Sequence, residues 1–399
     1  MGFELGPGRA HKAFEKPLAK YLDRAQWWGN TGCGLFLTTV AYTTYIASVL
    51  SFLVQLDDLP PSWDEKEREA FSRLVPGFSQ WTSSDDLRRL RLLGFPRDFT
   101  DMRTRQFAAK VRVAHLEAAG SGGLDVRRRA AALKDLRQKS DEVVLCAAWR
   151  DWLDRSFLLQ LDNAVREAAA RGITRDSVER RILGEAAARP ISPQQAGQIK
   201  RRFQAMVATM LQQNQPVCIE SRIRHKLSRW RVAEFPRVRV ERCMHFLQTL
   251  GPRVPPRVWA AAWRALWNGW PTNRRTQGRE GLPGCLFACS DDAADSIEHY
   301  ASCRALHPVA ESELGLNWQP TPEARLADFL GLSHRRGDNP REAVLRALRL
   351  AAVYKVHCLC RHGGTSRGPA ALEAIRQAFR ELVRGHPRAA QFYDAVHMR

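Results

Sequence analysis

Apolar residues recur at helical spacing along most of this chain. Ser62 and Glu65 frame a capping box that predicts a helix to about Leu74. Ser83, Ser84, Asp85 and Asp86 open another, with Leu87, Leu90 and Leu93 turned inward and Gly94 as its stop. Thr100 and Asp101 begin a third, whose Phe107, Val111, Ala114 and Ala118 share one face. Ser192-Pro193-Gln194-Gln195 caps a helix carrying an Ile199, Phe203, Met206, Met210 stripe, which reads as core. Asn339 caps one with Leu345, Leu348, Ala352 and Val356 inward, and Gly363-Gly364 stop it. Pro369 starts the last, with Leu372, Ile375, Phe379 and Leu382 inward. Arg237-Val238-Arg239-Val240 alternates and predicts a short strand in a basic, irregular stretch that begins at Pro216. The expected fold class is therefore mostly α, in several lobes.

The most apolar run, Gly32 to Leu56, carries no charge. It is long enough to span a bilayer, and an all-round apolar helix is also what the core of a large protein uses. Thr38, Thr39, Thr43, Thr44, Ser48 and Ser51 within it favour the buried core helix. Gly120-Ser121-Gly122-Gly123 has linker composition. It separates a helical domain over 1–119 from a helical region over 124–215, where Trp149, Trp152, Leu153 and Phe157 look like core. A basic, Trp-rich segment over 216–310 and a helical region over 311–399 complete the division.

Charge adds a partner to this picture. The 399 residues hold 62 Lys and Arg against 42 Asp and Glu, a net charge of +20. Residues 201–280 hold 16 Lys and Arg against 4 Asp and Glu, so +12 of that excess lies in a fifth of the chain. Such clustering points to a polyanion, nucleic acid before an anionic membrane. Nine cysteines, an odd number, and no secretory signal argue against a disulfide framework. They favour a reducing compartment, cytoplasm or nucleus.

Four residues carry recognisable chemistry. Cys285, Cys289, His299 and Cys303 have the spacing C-x3-C-x9-H-x3-C. Two close couples of soft and borderline ligands joined by a short loop suit tetrahedral zinc in a structural role. His357, Cys358, Cys360 and His362 form a second cluster, but Cys358 and Cys360 fall on different helix faces and read as core thiols. Trp259, Trp263 and Trp267 line one helix face ahead of the metal quartet, with Trp270 following, and read as packing. Arg222, Arg224, Arg229, Arg231, Arg274 and Arg275 are the candidate phosphate contacts.

Catalytic signatures are missing. The chain has no G-x-x-x-x-G-K-[ST], H-E-x-x-H, G-x-S-x-G or zinc-deaminase motif. Asp57-Asp58, Asp85-Asp86 and Asp291-Asp292 are the acid pairs that could bind magnesium, and none has the strand-turn context of a polymerase site.

The order W-x-x-x-W, G-W-P-T-x-R-R, C-L-F-x-C and D-S-I-E-H-Y-x-x-C, within 259–303, resembles the post-polymerase region of reverse transcriptases from non-LTR (LINE-like) retroelements. Residues 15–115 resemble the thumb-like helical segment after the palm, through Tyr42, Tyr45 and the S-V-L-S-F-L-V-Q-L-x-x-L-P-P run. The resemblance implies that Cys285, Cys289, His299 and Cys303 hold zinc, with Trp270, Thr272 and Arg275 leading into the site. The paired-aspartate polymerase motif and a P-D…(D/E)-x-K nuclease core are both absent. What is implied is a non-catalytic C-terminal piece that grips template RNA or target DNA. Two alternatives stand beside it: a cryptic metal-dependent nuclease, and a membrane-associated protein anchored by residues 32–56.

Overall fold

The computed structural model describes residues 13–77, 81–117, 126–140, 153, 156–184, 191–213, 219–230, 237–276, 284–289, 294–363 and 367–384. Among these residues there is no strand, and nineteen α-helices run in chain order. They are α1 (Glu15–Asn30), α2 (Leu35–Ala41), α3 (Leu53–Leu56), α4 (Trp63–Leu74), α5 (Ser84–Leu87), α6 (Met102–Glu117) and α7 (Val126–Ser140). Next come α8 (Phe157–Ala170), α9 (Arg175–Leu183), α10 (Pro193–Gln213), α11 (Ile219–Leu227), α12 (Arg237–Leu250) and α13 (Pro256–Leu266). The last are α14 (Asn273–Thr276), α15 (Ile297–Ala301), α16 (Leu306–Leu314), α17 (Pro322–Phe329), α18 (Pro340–Arg361) and α19 (Pro369–Arg384).

Three of the predicted caps form. Ser83 Oγ accepts from the Asp86 N–H while the Asp86 carboxylate accepts from the Ser83 N–H. Ser192 and Gln195 exchange the same pair of bonds at the start of α10. The Asn339 side chain accepts from the Arg341 N–H. Each satisfies donors that a helix start leaves open.

Two expectations are corrected. The charge-free run is not one helix: α2 gives way to a π turn over Tyr42–Ile46, a 3₁₀ turn over Ala47–Leu50, and then α3. Thr38 and Thr39 hydroxyls donate back to the carbonyls of Gly34 and Phe36, a pattern that competes with a straight helix. Among the described residues no helix is long and apolar enough to cross a membrane. Arg237 to Val240 belongs to α12, not to a strand. Val240, Cys243, Phe246, Leu247 and Leu250 are all buried, so the 3.6-residue period of the longer window overrides a four-residue alternation.

Contacts divide the chain into two units built from interleaved segments. The first takes 1–31, 40–74 and 100–217. Its α1 packs on α4 through Tyr21 and Trp63, whose rings lie 5.3 Å apart, and the Tyr21 and Tyr42 hydroxyls meet at 3.2 Å. α6 packs on α10 and α8, with Val111, Ala164, Phe203 and Val207 in one core. The buried Lys110 ammonium donates to Asp58 and Gln160, and Gln160 donates to Asp57. That first acid pair is thus tied to protein donors.

The second unit takes 32–39, 75–99 and 218–399. Its centre is α13, with Trp259, Trp263 and Trp267 fully buried, as their one-face spacing predicted. Trp81 packs edge-on to Trp263 at 4.8 Å, and the Arg264 guanidinium lies 4.5 Å from its ring centre. α18 covers α13 with Leu348, Ala352 and Val356, all buried, and α19 covers α18 with Ile375 and Phe379. Trp270 packs beyond the helix against Tyr300, Phe329, Tyr354 and His357.

Candidate metal centre and basic cluster

The quartet read from spacing converges. The ligand atoms of Cys285, Cys289, His299 and Cys303 all lie within 4.8 Å of one another. Cys285 and Cys289 sit on a short loop, held by bonds from the Phe287 N–H to Cys285 Sγ and from the Ala288 N–H to the Cys285 carbonyl. Ala288 turns through a left-handed φ of 51° to close it. His299 rides on α15, whose first turn is capped by Ser296 Oγ accepting from the His299 N–H, and Cys303 follows just beyond the helix.

The spacing suits a tetrahedral ion. Two thiolates on a metal at about 2.3 Å lie about 3.8 Å apart; Cys285 Sγ and Cys303 Sγ are 3.8 Å apart. Cys289 Sγ and His299 Nε2 are 3.2 Å apart. The proximity of Cys303 and burial push the Cys285 thiol up to about 12, while that contact lowers Cys303. The cluster could hold a metal ion through three sulfurs and one nitrogen, four protein ligands that leave no vertex for substrate. Among the described residues no other His, Cys, Asp or Glu group converges this way. Cys360 and His357 are buried in the helix packing instead, and His362 is exposed.

Asp295 ties this module to the rest of the unit, and ligand spacing alone does not mark it. It is buried and accepts from the Asn273 N–H at 2.9 Å, Arg361 Nη1 at 2.9 Å and the Tyr300 hydroxyl, with His357 Nε2 at 3.6 Å. Burial pushes its carboxyl up, but the bonds from His357, Tyr300 and Asn273 win and hold it below the ordinary value. Asp295 is the first letter of the D-S-I-E-H-Y motif, which was the available signal.

The candidate phosphate contacts fall into different situations. Arg222 forks onto Asp86, and Arg274 pairs with Glu298 at 2.5 Å. Arg224 and Arg229 are exposed on and just beyond α11, and Arg275 is half-buried on α14. Arg231 lies outside the described residues.

Lys226 sits among them, with nothing in the local sequence to mark it. The stretch looks irregular in sequence, whereas α11 places Arg222 and Lys226 one turn apart. Lys226 is buried, and its ammonium donates to the Trp81 carbonyl at 2.6 Å. Burial lowers its pKa to about 8; Asp86 supports its charge, while Arg222, Arg229 and Arg275 oppose it. Arg275 is itself lowered by burial and by Arg229. The charges of three predicted arginines therefore reach one buried lysine, and the carboxylate that supports it is already forked by Arg222.

Among the described residues the acid pairs show no shared geometry. Asp85 lies 3.6 Å from Arg88, Asp86 belongs to Arg222, and Asp291-Asp292 lies outside the described residues. Compared with known proteins, the chain matches no family model, no curated protein and no solved structure.

Proposed function

We propose that this chain is a non-catalytic, nucleic-acid-binding C-terminal piece of a retroelement reverse transcriptase, gripping template RNA or target DNA. Zinc is the ion of the three-sulfur, one-nitrogen site, where it clamps residues 284–289 to residues 294–303. One observation carries the reading: Arg224 and Arg229 stand exposed on a basic stretch of the same unit as the metal quartet. Exposed guanidinium groups of such a stretch draw and pair phosphates. The D-S-I-E-H-Y-x-x-C and G-W-P-T-x-R-R motifs supply the retroelement context.

The test is fluorescence anisotropy with labelled single-stranded RNA, single-stranded DNA and duplex DNA, using metal-loaded protein. Binding that weakens steeply with salt supports the reading, because phosphate neutralisation releases counterions. Magnesium-dependent cleavage of plasmid by the same preparation would replace it with the nuclease alternative.

A further inference from the structure

The first unit carries an aromatic group that its core does not use. On α1, Tyr21 and Ala25 are buried, and Trp27 lies on the other side of the helix, 63% exposed. Trp28, half-buried beside it, meets the Trp27 ring edge-on at 5.0 Å. Trp28 also stacks on Tyr45 of the π turn, with ring centres 5.4 Å apart and planes at 18°. With one face against Trp28, Tyr45 is still 51% exposed, so its outer face is open. The Arg24 guanidinium donates to the Tyr45 carbonyl and holds the π turn beside α1. Single exposed apolar residues are ordinary on a protein surface, whereas three aromatic rings gathered at one place mark a contact.

The charges around these rings select what they meet. Lys16, Lys20, Arg24 and Trp27 follow one another at steps of four, four and three residues, so they share one stripe of α1. Lys16 and Lys20 are exposed, Arg24 is half-buried, and the three cations make no ion pair among the described residues. Asp23, one turn before Trp27, is the acid at the edge of the stripe. The stripe offers no leucine, isoleucine or valine to seat in a membrane. Lysine is depleted at the centres of protein–protein interfaces. Open rings interleaved with cations match a polymer that alternates flat bases with phosphates.

We infer that Trp27 and Tyr45 form a stacking platform for the unpaired bases of a single-stranded nucleic acid, on a stripe whose Lys16, Lys20 and Arg24 attract its phosphates. Bases in a duplex stack on one another and do not present their faces, so the platform selects single strands. The inference rests on the nucleic-acid reading for its polymer. It adds a contact on the first unit, made by residues other than Arg224 and Arg229, that distinguishes single from double strands.

Anisotropy titrations of the full metal-loaded chain test it, with labelled oligothymidylate, a strand of equal length lacking bases, and duplex DNA. Because Trp27 is exposed, Trp27→Ala is expected to keep the parent's helical circular dichroism and Tm. It should weaken oligothymidylate binding about fivefold or more, the loss of one stacked base. Binding of the baseless strand and of the duplex, and the salt slope, should not change. Trp27→Phe, which keeps a ring, should recover most of the loss. Arg229→Gln should weaken all three ligands, which tells the two contacts apart. If Trp27→Ala and Tyr45→Ala both bind oligothymidylate as the parent does, the inference is overturned and the nucleic-acid reading stands. Equal losses for oligothymidylate and the baseless strand overturn it in the same way. Binding to phosphatidylserine vesicles that Trp27→Ala abolishes, with oligothymidylate binding unchanged, assigns the surface to a membrane instead. A parent that binds none of the three ligands overturns both the inference and the nucleic-acid reading.

Discussion

Arg222 sets its guanidinium squarely on Asp86, with Nε 2.7 Å from Oδ1 and Nη2 2.7 Å from Oδ2. Asp86 is 2% exposed and also caps α5. The arginine thus joins α11 to the 83–87 turn, within the second unit. Removing it leaves a buried carboxylate without its main counter-charge. Arg222→Gln is expected to lower unfolding stability by about 3 kcal/mol, read by urea titration. Its effect on nucleic-acid affinity should be smaller than that of Arg229→Gln. The reverse order would make Arg222 a ligand contact first and an anchor second.

Lys226 gives a pH signature. Its folded value of about 8 lies below the ordinary 10.5, so between these values the unfolded chain holds more protons than the folded one. Stability therefore rises with pH across that window, and the contribution is lost again as pH falls through 8. Lys226→Met should flatten the rise, measured as urea midpoints from pH 7 to 10.5. A Lys226→Met curve parallel to the parent's would show that another group produces it.

Metal removal should act on the quartet first. One zinc per chain is expected by elemental analysis, and Cys289→Ser should lose it. The variant's Tm should fall by more than about 5 °C, because binding energy at a structural site is folding energy. Stoichiometric zinc retained in Cys289→Ser would remove that residue from the ligand set.

Gly94 and Gly251 meet back to back. A methyl group on Gly251 would collide with the Gly94 carbonyl oxygen, and one on Gly94, at φ +90°, would lie 2.6 Å from the Gln248 Cα. Gly251→Ala is expected to cost about 3 kcal/mol, since backbone on both sides must move. Chemical denaturation of the variant measures it, and a loss under 1 kcal/mol would mean that this contact yields easily.

What could be read from the residues alone was what local chemistry decides. The caps at Ser83, Ser192 and Asn339 use partners within three residues, so sequence shows them. The metal quartet lies within 285–303, and its spacing shows it too. Asp86 and Arg222 are 136 residues apart, and Lys226 and the Trp81 carbonyl 145. No periodicity links such pairs, so the sequence shows Arg222 only as one basic residue among many and gives Lys226 no mark. The 32–56 run failed as a single helix for another reason: threonine back-bonds and tertiary packing decide its turns, and a hydropathy window sees neither. The interleaving of the two units likewise depends on distant contacts.

The most direct test is the salt dependence of nucleic-acid binding by metal-loaded protein, parent against Arg229→Gln. Contacts to about three phosphates of a single strand predict a slope of log affinity against log salt near −2, reduced in magnitude by about 0.7 in the variant. A slope near zero, or a steep slope that Arg229→Gln leaves untouched, would contradict the account.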